Sequence, residues 1–186
     1  IEYSIFVLGT PVLLVLGHTN CGAVKFATHA CVTRSKEIIA MTKSFYSDLL
    51  QAGYSAISPA VKTEMLPLVI PIERGIPYLS TLGDETRELA YLGQVNVDYQ
   101  IEKALKYYGD RVTANKLTII GGMYDFVGAY SNEHGRILIT NINGITDTKD
   151  LQESARAIIK LIPNTDESSE GYKLISRLIE EKVIRI

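Results

Sequence analysis

Pro11-Val-Leu-Leu-Val-Leu-Gly17 is the stretch that decides the fold. It is an unbroken apolar run closed by a proline on one side and a glycine on the other. Such a run predicts a short strand buried on both faces, as in a parallel sheet. The polar stretch His18-Thr-Asn-Cys-Gly22 follows at once and predicts a loop, and Ala23 to Ala30 predicts a helix. In open parallel sheets, ligands bind beyond the carboxyl ends of the strands, so residues 18–22 are where a site is expected.

The rest of the chain repeats the alternation. Before the strand, Ile1, Ile5 and Leu8 have helical spacing and Gly9 reads as a helix stop. Residue 1 is Ile, and a helical turn without an N-cap running straight into a strand carries the expectation that the sequence begins partway through a domain. Residues 34–54 predict a helix with Ile38, Met41, Phe45, Leu49 and Leu50 on one face. Four of the six prolines fall within 55–83, so helices there must be short or kinked. Asp84 is a candidate N-cap for a long helix to about Tyr108, with Leu89, Leu92, Val97, Ile101, Ala104 and Leu105 as its apolar face. Lys116 to Gly121 predicts a second buried strand. Met123 to Tyr130 and Arg136 to Asn141 predict a hairpin turning at Asn132-Glu-His-Gly135. From Asp147 the pattern is helical over 147–162 and again over 170–183, with a polar loop at 164–169. Together these elements predict an α/β fold with a mostly parallel sheet and one antiparallel edge hairpin, flanked by helices.

Composition narrows the function classes. The 186 residues suit one folded domain with a sizeable core. Lys+Arg 19 against Asp+Glu 21 leaves a net charge of −2, which argues against a broad nucleic-acid-binding face. The longest apolar stretch, Ile5 to Gly17, is interrupted by Gly9, Thr10 and Pro11, and is shorter than the roughly 20 apolar residues a membrane-spanning helix needs. Two cysteines cannot staple a scaffold and point instead to metal or redox chemistry in the cytoplasm or another reducing compartment.

His18 and Cys21 supply an imidazole nitrogen and a thiolate, both good zinc ligands, on a tight loop. Gly22 is expected to let the chain turn closely and enter the helix. Two donors do not hold zinc, which takes four. His29 and Cys31 are nearest in sequence, but a helix from residue 23 carries Cys31 roughly 12–15 Å along its axis, beyond any shared ion. His134 falls in the hairpin turn and is expected to face solvent. A buried Cys on an ordinary polar loop is the competing reading. The glycine spacing does not fit a phosphate-binding Gly-x-Gly-x-x-Gly turn.

Leu13-Leu-Val-Leu-Gly-His-Thr-Asn-Cys-Gly-Ala-Val24 closely resembles the second zinc-binding segment of the β-class carbonic anhydrases, an apolar strand followed by Gly-His-Ser/Thr-x-Cys-Gly. Ile1 to Gly9 looks like the helix that precedes it in that family. Val95-Asn-Val-Asp-Tyr-Gln100 resembles the family's Asn-Val-x-x-Gln helix, and Leu117 to Phe126 resembles the strand region around Gly-x-x-Tyr-Asp. The resemblance covers roughly residues 1–30 and 90–143. It implies a Rossmann-like domain over 1–144, with its N-terminal part missing, and a C-terminal helical extension over 145–186.

The resemblance further implies one zinc per subunit, with His18 and Cys21 as ligands and Asn20 and Gly22 in supporting positions. It implies CO2 and bicarbonate as substrates, a homodimer or higher homo-oligomer, and reversible CO2 hydration, in which zinc activates water. The family's remaining ligand lies on a Cys-x-Asp-x-Arg segment. Neither Cys21 (Ala23, Lys25) nor Cys31 (Thr33, Ser35) fits that pattern. Two alternatives therefore stay open: a non-catalytic scaffold or interaction domain, and a hydrolase of COS or CS2 on the same fold. Tyr124 and Asp125 are read as a structural pair at the sheet end, and Glu2 and Tyr3 as lying on the helix beneath the site.

Overall fold

The computed structural model describes residues 1–34, 66–130 and 133–160, together with 173, 177, 182, 183, 185 and 186. The helix expected over 34–54 (beyond its first residue), the loop at 164–169 and most of the helix at 170–183 lie outside the described residues. The elements are one π-helical turn Tyr3–Val7, β1 Val12–His18, α1 Gly22–Arg34, α2 Leu66–Gly75, a 3-10 turn Ile76–Thr81, α3 Glu85–Thr113, β2 Thr118–Asp125, β3 Arg136–Ile142 and α4 Thr148–Lys160. They fall into two compact units. The first holds residues 1–17, 97–124 and 136–185; the second holds 18–96, 125–135 and 186.

The first unit contains the sheet, in the order β1-β2-β3. The Thr118 N–H at the start of β2 donates to the Pro11 carbonyl at the start of β1 (2.8 Å), as parallel neighbours do. The Asn143 N–H just past β3 donates to Ile119 near the start of β2 (2.8 Å), so β2 and β3 run antiparallel. On the far side of β3, Val183 pairs in parallel with Ile139. This is the expected α/β architecture, with parallel pairing and an antiparallel hairpin.

Two sequence expectations change here. The first concerns β1, which is not buried on both faces. Val12, Leu14 and Leu16 are 47%, 52% and 49% exposed, while Leu13 and Val15 are half-buried. β1 stands at one end of the order of described strands. The second concerns the segments 116–121 and 123–130, which are not separate strands. One strand runs from Thr118 to Asp125 straight through Gly121-Gly122. The glycines serve close packing rather than a break. A Cβ on Gly121 would stand 2.5 Å from Ile101 Cδ1 and 2.9 Å from Val97 Cγ1, so α3 lies hard against β2.

α4 packs on β3 through the i, i+4, i+7 stripe of Leu151, Ala155 and Ile158, which closes a cluster with Ile142, Ile139 and Val183. Asp147 caps α4, its Oδ1 accepting the Lys149 and Asp150 N–H groups (3.0 and 3.1 Å). The opening turn ends at Gly9 with φ +67°, as the sequence suggested. Its Ile5 is buried, its Phe6 ring lies under the Arg111 guanidinium, and its Tyr3 is exposed.

The second unit is helical, with a core of Val24, Ala27 and Cys31 from α1, Ile72 from α2, Ile76 and Leu79 from the 3-10 turn, and Leu89 and Leu92 from α3. The prolines within the described residues act as expected, and Pro59 lies outside them. α2 is short, has Pro71 inside it, and passes into a 3-10 turn led by Pro77. Asp84 caps α3, its Oδ1 accepting the Arg87 N–H (3.0 Å). α3 runs past Tyr108 to Thr113. There Asn115 adopts φ +54° and the Lys116 N–H reaches back to the Arg111 carbonyl (2.8 Å), closing the helix in a left-handed C-terminal turn.

Candidate metal centre

The second unit carries the residues singled out from sequence. His18 is the exposed last residue of β1, and Thr19 and Asn20 make the turn. Asn20 sits at φ +57°, a left-handed conformation that Asn tolerates through its short polar side chain. Cys21 follows, half-buried against the helical core, and its carbonyl accepts the Lys25 N–H (3.0 Å). Cys21 thus occupies the N-cap of α1, where unpaired N–H groups favour negative charge.

The His18 ring is fixed by two contacts. Its Nδ1 lies 3.0 Å from the Thr19 carbonyl oxygen. A carbonyl only accepts, so Nδ1 carries a proton, and in the neutral ring Nε2 holds the lone pair. The ring also stands edge-on to Phe126, 5.6 Å between centroids at 86°. A backbone carbonyl holding one ring nitrogen while the other stays basic is the arrangement metal-binding histidines adopt.

Behind the loop, Thr19 and Asp125 are both fully buried. The Thr19 hydroxyl donates to Asp125 Oδ1 (3.2 Å) and accepts the Phe126 N–H (2.8 Å). Asp125 further accepts N–H groups from Val127, Ala129 and Tyr130. These bonds take residues 126–130 out of any strand ladder, which is why β2 stops at Asp125. Thr19 escaped the sequence reading. Its sequence signal is a hydroxyl next to a ligand-type His, at the Ser/Thr place of the Gly-His-Ser/Thr-x-Cys-Gly pattern.

Gly22 needs correction. A Cβ there would meet no atom within 4 Å, and its φ lies outside the left-handed region. The tight turn is made by Asn20 instead. Cys31 is 0% exposed in the core one helix away, and His134 is exposed with its Nδ1 donating to the Phe126 carbonyl (3.1 Å). Among the described residues no three His, Cys, Asp or Glu side chains form a group that could hold a metal ion. His18 and Cys21 therefore offer at most two donors there.

A cleft of about 260 Å³ borders the loop, lined by Asn20, Lys25, Glu85, Thr86, Leu89 and Val127. Burial pushes the Glu85 carboxyl above its ordinary range, and Lys25 partly draws it back. Asn20 is the one predicted site residue on this wall.

The family profile described as carbonic anhydrase matches residues 1–130 of the chain. The chain therefore belongs to the carbonic anhydrase family, and the Gly17-His18-Thr19-Asn20-Cys21-Gly22 pattern is that of its β class. Among solved structures, a chain described as the β-carbonic anhydrase CcaA matches at 15% identity with a TM-score of 0.43, covering 75% of this chain and 51% of that one. This chain thus spans about half the length of that relative. No curated protein matches. Among the described residues no helix is long and apolar enough to cross a membrane.

Proposed function

We propose that this chain carries a zinc half-site, His18 Nε2 and Cys21 Sγ, for the reversible hydration of CO2 to bicarbonate. The observation that carries the reading is the Nδ1–H bond from His18 to the Thr19 carbonyl, which leaves Nε2 of the neutral ring as a donor atom three residues before the Cys21 thiol at the N-cap of α1. The donors present fit zinc in kind, one nitrogen and one sulfur, and the remaining ligands come from outside the described residues. Zinc, when bound, would lower the pKa of a coordinated water toward neutrality and so supply the nucleophile for CO2.

The chain's own residues do the rest. The Phe126 ring packs perpendicular to His18, and Asn20 sets the left-handed turn and lines the adjoining cleft. Gly22 contributes through its backbone at the start of α1, because its missing side chain meets no steric need.

The remaining assignments follow the same reading. Residues 145–186 form an extension of the 1–144 domain, supported by the packing of Leu151, Ala155 and Val183 on Ile142. A homodimer or larger homo-oligomer is supported by the exposed Val12, Leu14 and Leu16, and light scattering reads it directly. Two cysteines outside any disulfide are in keeping with the cytoplasm or another reducing compartment.

The deciding experiment pairs elemental analysis with a stopped-flow CO2 hydration assay on the parent and Cys21→Ser. Zinc near one per chain in the parent, with both zinc and hydration lost in the variant, supports the proposal. A folded parent free of zinc, or a variant as active as its parent, overturns it.

A further inference from the structure

The geometry points to Asp125 as a positioning residue for the metal-binding loop, acting on His18 through the Thr19 hydroxyl; this rests on the metal-centre reading above. Asp125 and Thr19 are both 0% exposed. A carboxylate has roughly four acceptor sites. Here they are met by Thr19 Oγ1 (3.2 Å) and by the N–H groups of Val127 (3.3 Å), Ala129 (3.0 Å) and Tyr130 (3.1 Å). Three of these donors are backbone groups of one loop, so the carboxylate is held rigidly within 125–130. The Asp125 carbonyl is tied as well, accepting the Gly135 N–H (2.7 Å).

The remaining donor is Thr19, from the loop that carries His18 and Cys21. Its hydroxyl works in both directions, donating to Asp125 and accepting the Phe126 N–H. The two atoms that fix the His18 ring are thereby set by this one hydroxyl. The Thr19 carbonyl that receives Nδ1–H belongs to the same residue, and the Phe126 ring that faces the imidazole hangs from the peptide whose N–H the hydroxyl accepts. Neither Thr19 nor Asp125 is itself placed as a ligand. Their effect on a metal passes through the direction and tautomer of His18. Partners of this kind change metal affinity by about 10- to 100-fold.

The test uses the full chain with Zn2+ as the probe, and the variants Thr19→Val, Thr19→Ser and Asp125→Asn. Far-UV circular dichroism establishes that each folds. Zinc affinity is read by competition with a chromophoric chelator, and the tautomer of the neutral His18 ring by 15N NMR on metal-free protein. The expected result is a parent with Nδ1–H on His18, and a folded Thr19→Val that binds zinc about 10- to 100-fold more weakly and has lost that tautomer. Thr19→Ser, which keeps the hydroxyl, restores both. Asp125→Asn repeats the loss, and adds little in combination with Thr19→Val because the two act along one path.

A folded Thr19→Val that matches the parent in zinc affinity and tautomer overturns the positioning role and leaves the metal centre standing. A parent that binds no zinc overturns the metal centre instead. The tautomer comparison, which needs no metal, then still decides whether the Thr19 hydroxyl orients His18.

Discussion

Arg185 forks onto Asp98, with Nη2 2.7 Å from Oδ2 and Nη1 3.1 Å from Oδ1. The pair is mostly sheltered, its side chains 17% and 22% exposed. Nη1 also donates to the Thr140 carbonyl (2.7 Å), and Asn141 Nδ2 donates to Asp98 Oδ1 (2.7 Å). One guanidinium thus joins the chain's last residues to α3 and β3. Removing it leaves a half-buried carboxylate with two donors fewer, Asn141 Nδ2 still bonded to Oδ1. Arg185→Ala is expected to cost about 1–3 kcal/mol, read as a lower urea midpoint. Adding Asp98→Asn should cost less than the sum of the two single changes.

Gly121 sits where α3 presses on β2. A methyl group there must displace the Ile101 tip, and it also meets Asn141 Cβ at 3.0 Å, which is less free to move. Gly121→Ala is expected to destabilise by about 1–3 kcal/mol through overpacking. Gly22→Ala, with open space around its added carbon, should shift the melting temperature far less.

Glu88 bears on pH dependence. Burial, then the neighbouring Glu85 and Asp84 carboxylates, hold its carboxyl above the ordinary value of 4.5. The folded chain therefore binds this proton more tightly than the unfolded chain does. The contribution favours folding below the unfolded value and is lost as pH rises through the higher folded value. Glu88→Gln should accordingly melt at a higher temperature than the parent at neutral pH. The gap should close in acid, where the parent carboxyl is protonated. Paired thermal melts across pH read the effect.

Cys31 lies in the helical core with Val24, Ala27 and Ile72. Cys31→Ser puts a more polar hydroxyl there and should cost about 1–3 kcal/mol. Zinc content should not change, since the residue is a core position of α1. Loss of zinc without loss of stability would reverse that assignment.

Much of this fold is written in local chemistry. Asp84 and Asp147 announce their helices by capping them, and Gly9 ends its turn. Pro71 and Pro77 mark a segment broken into short pieces. Gly121-Gly122 misleads, because a glycine pair can mean either a turn or a close helix approach, and only the partner helix tells which. β1 misleads for a related reason: an apolar run states what a strand tolerates, and its neighbours decide what is covered. At the site, His18 and Cys21 are legible from residue type and spacing. The link from Thr19 to Asp125 is not, since 106 residues separate the partners and neither belongs to a recognisable pattern with the other.

The two faces of β1 have one further consequence. Val12, Leu14 and Leu16 on one side are chemically equivalent to Leu13 and Val15 on the other, so apolar pattern alone cannot fix the strand's register. A slip by one residue would exchange like for like along most of the strand, yet it would turn His18 to the opposite side of the sheet. Alignment must therefore be held at the ends. At one end, the Thr118 N–H is bonded to the carbonyl of Pro11, a residue with no N–H to offer a competing partner. At the other, the chain turns at once through Thr19 and the left-handed Asn20. Substitutions at these punctuating positions should scramble which face His18 occupies before they lower the content of folded sheet.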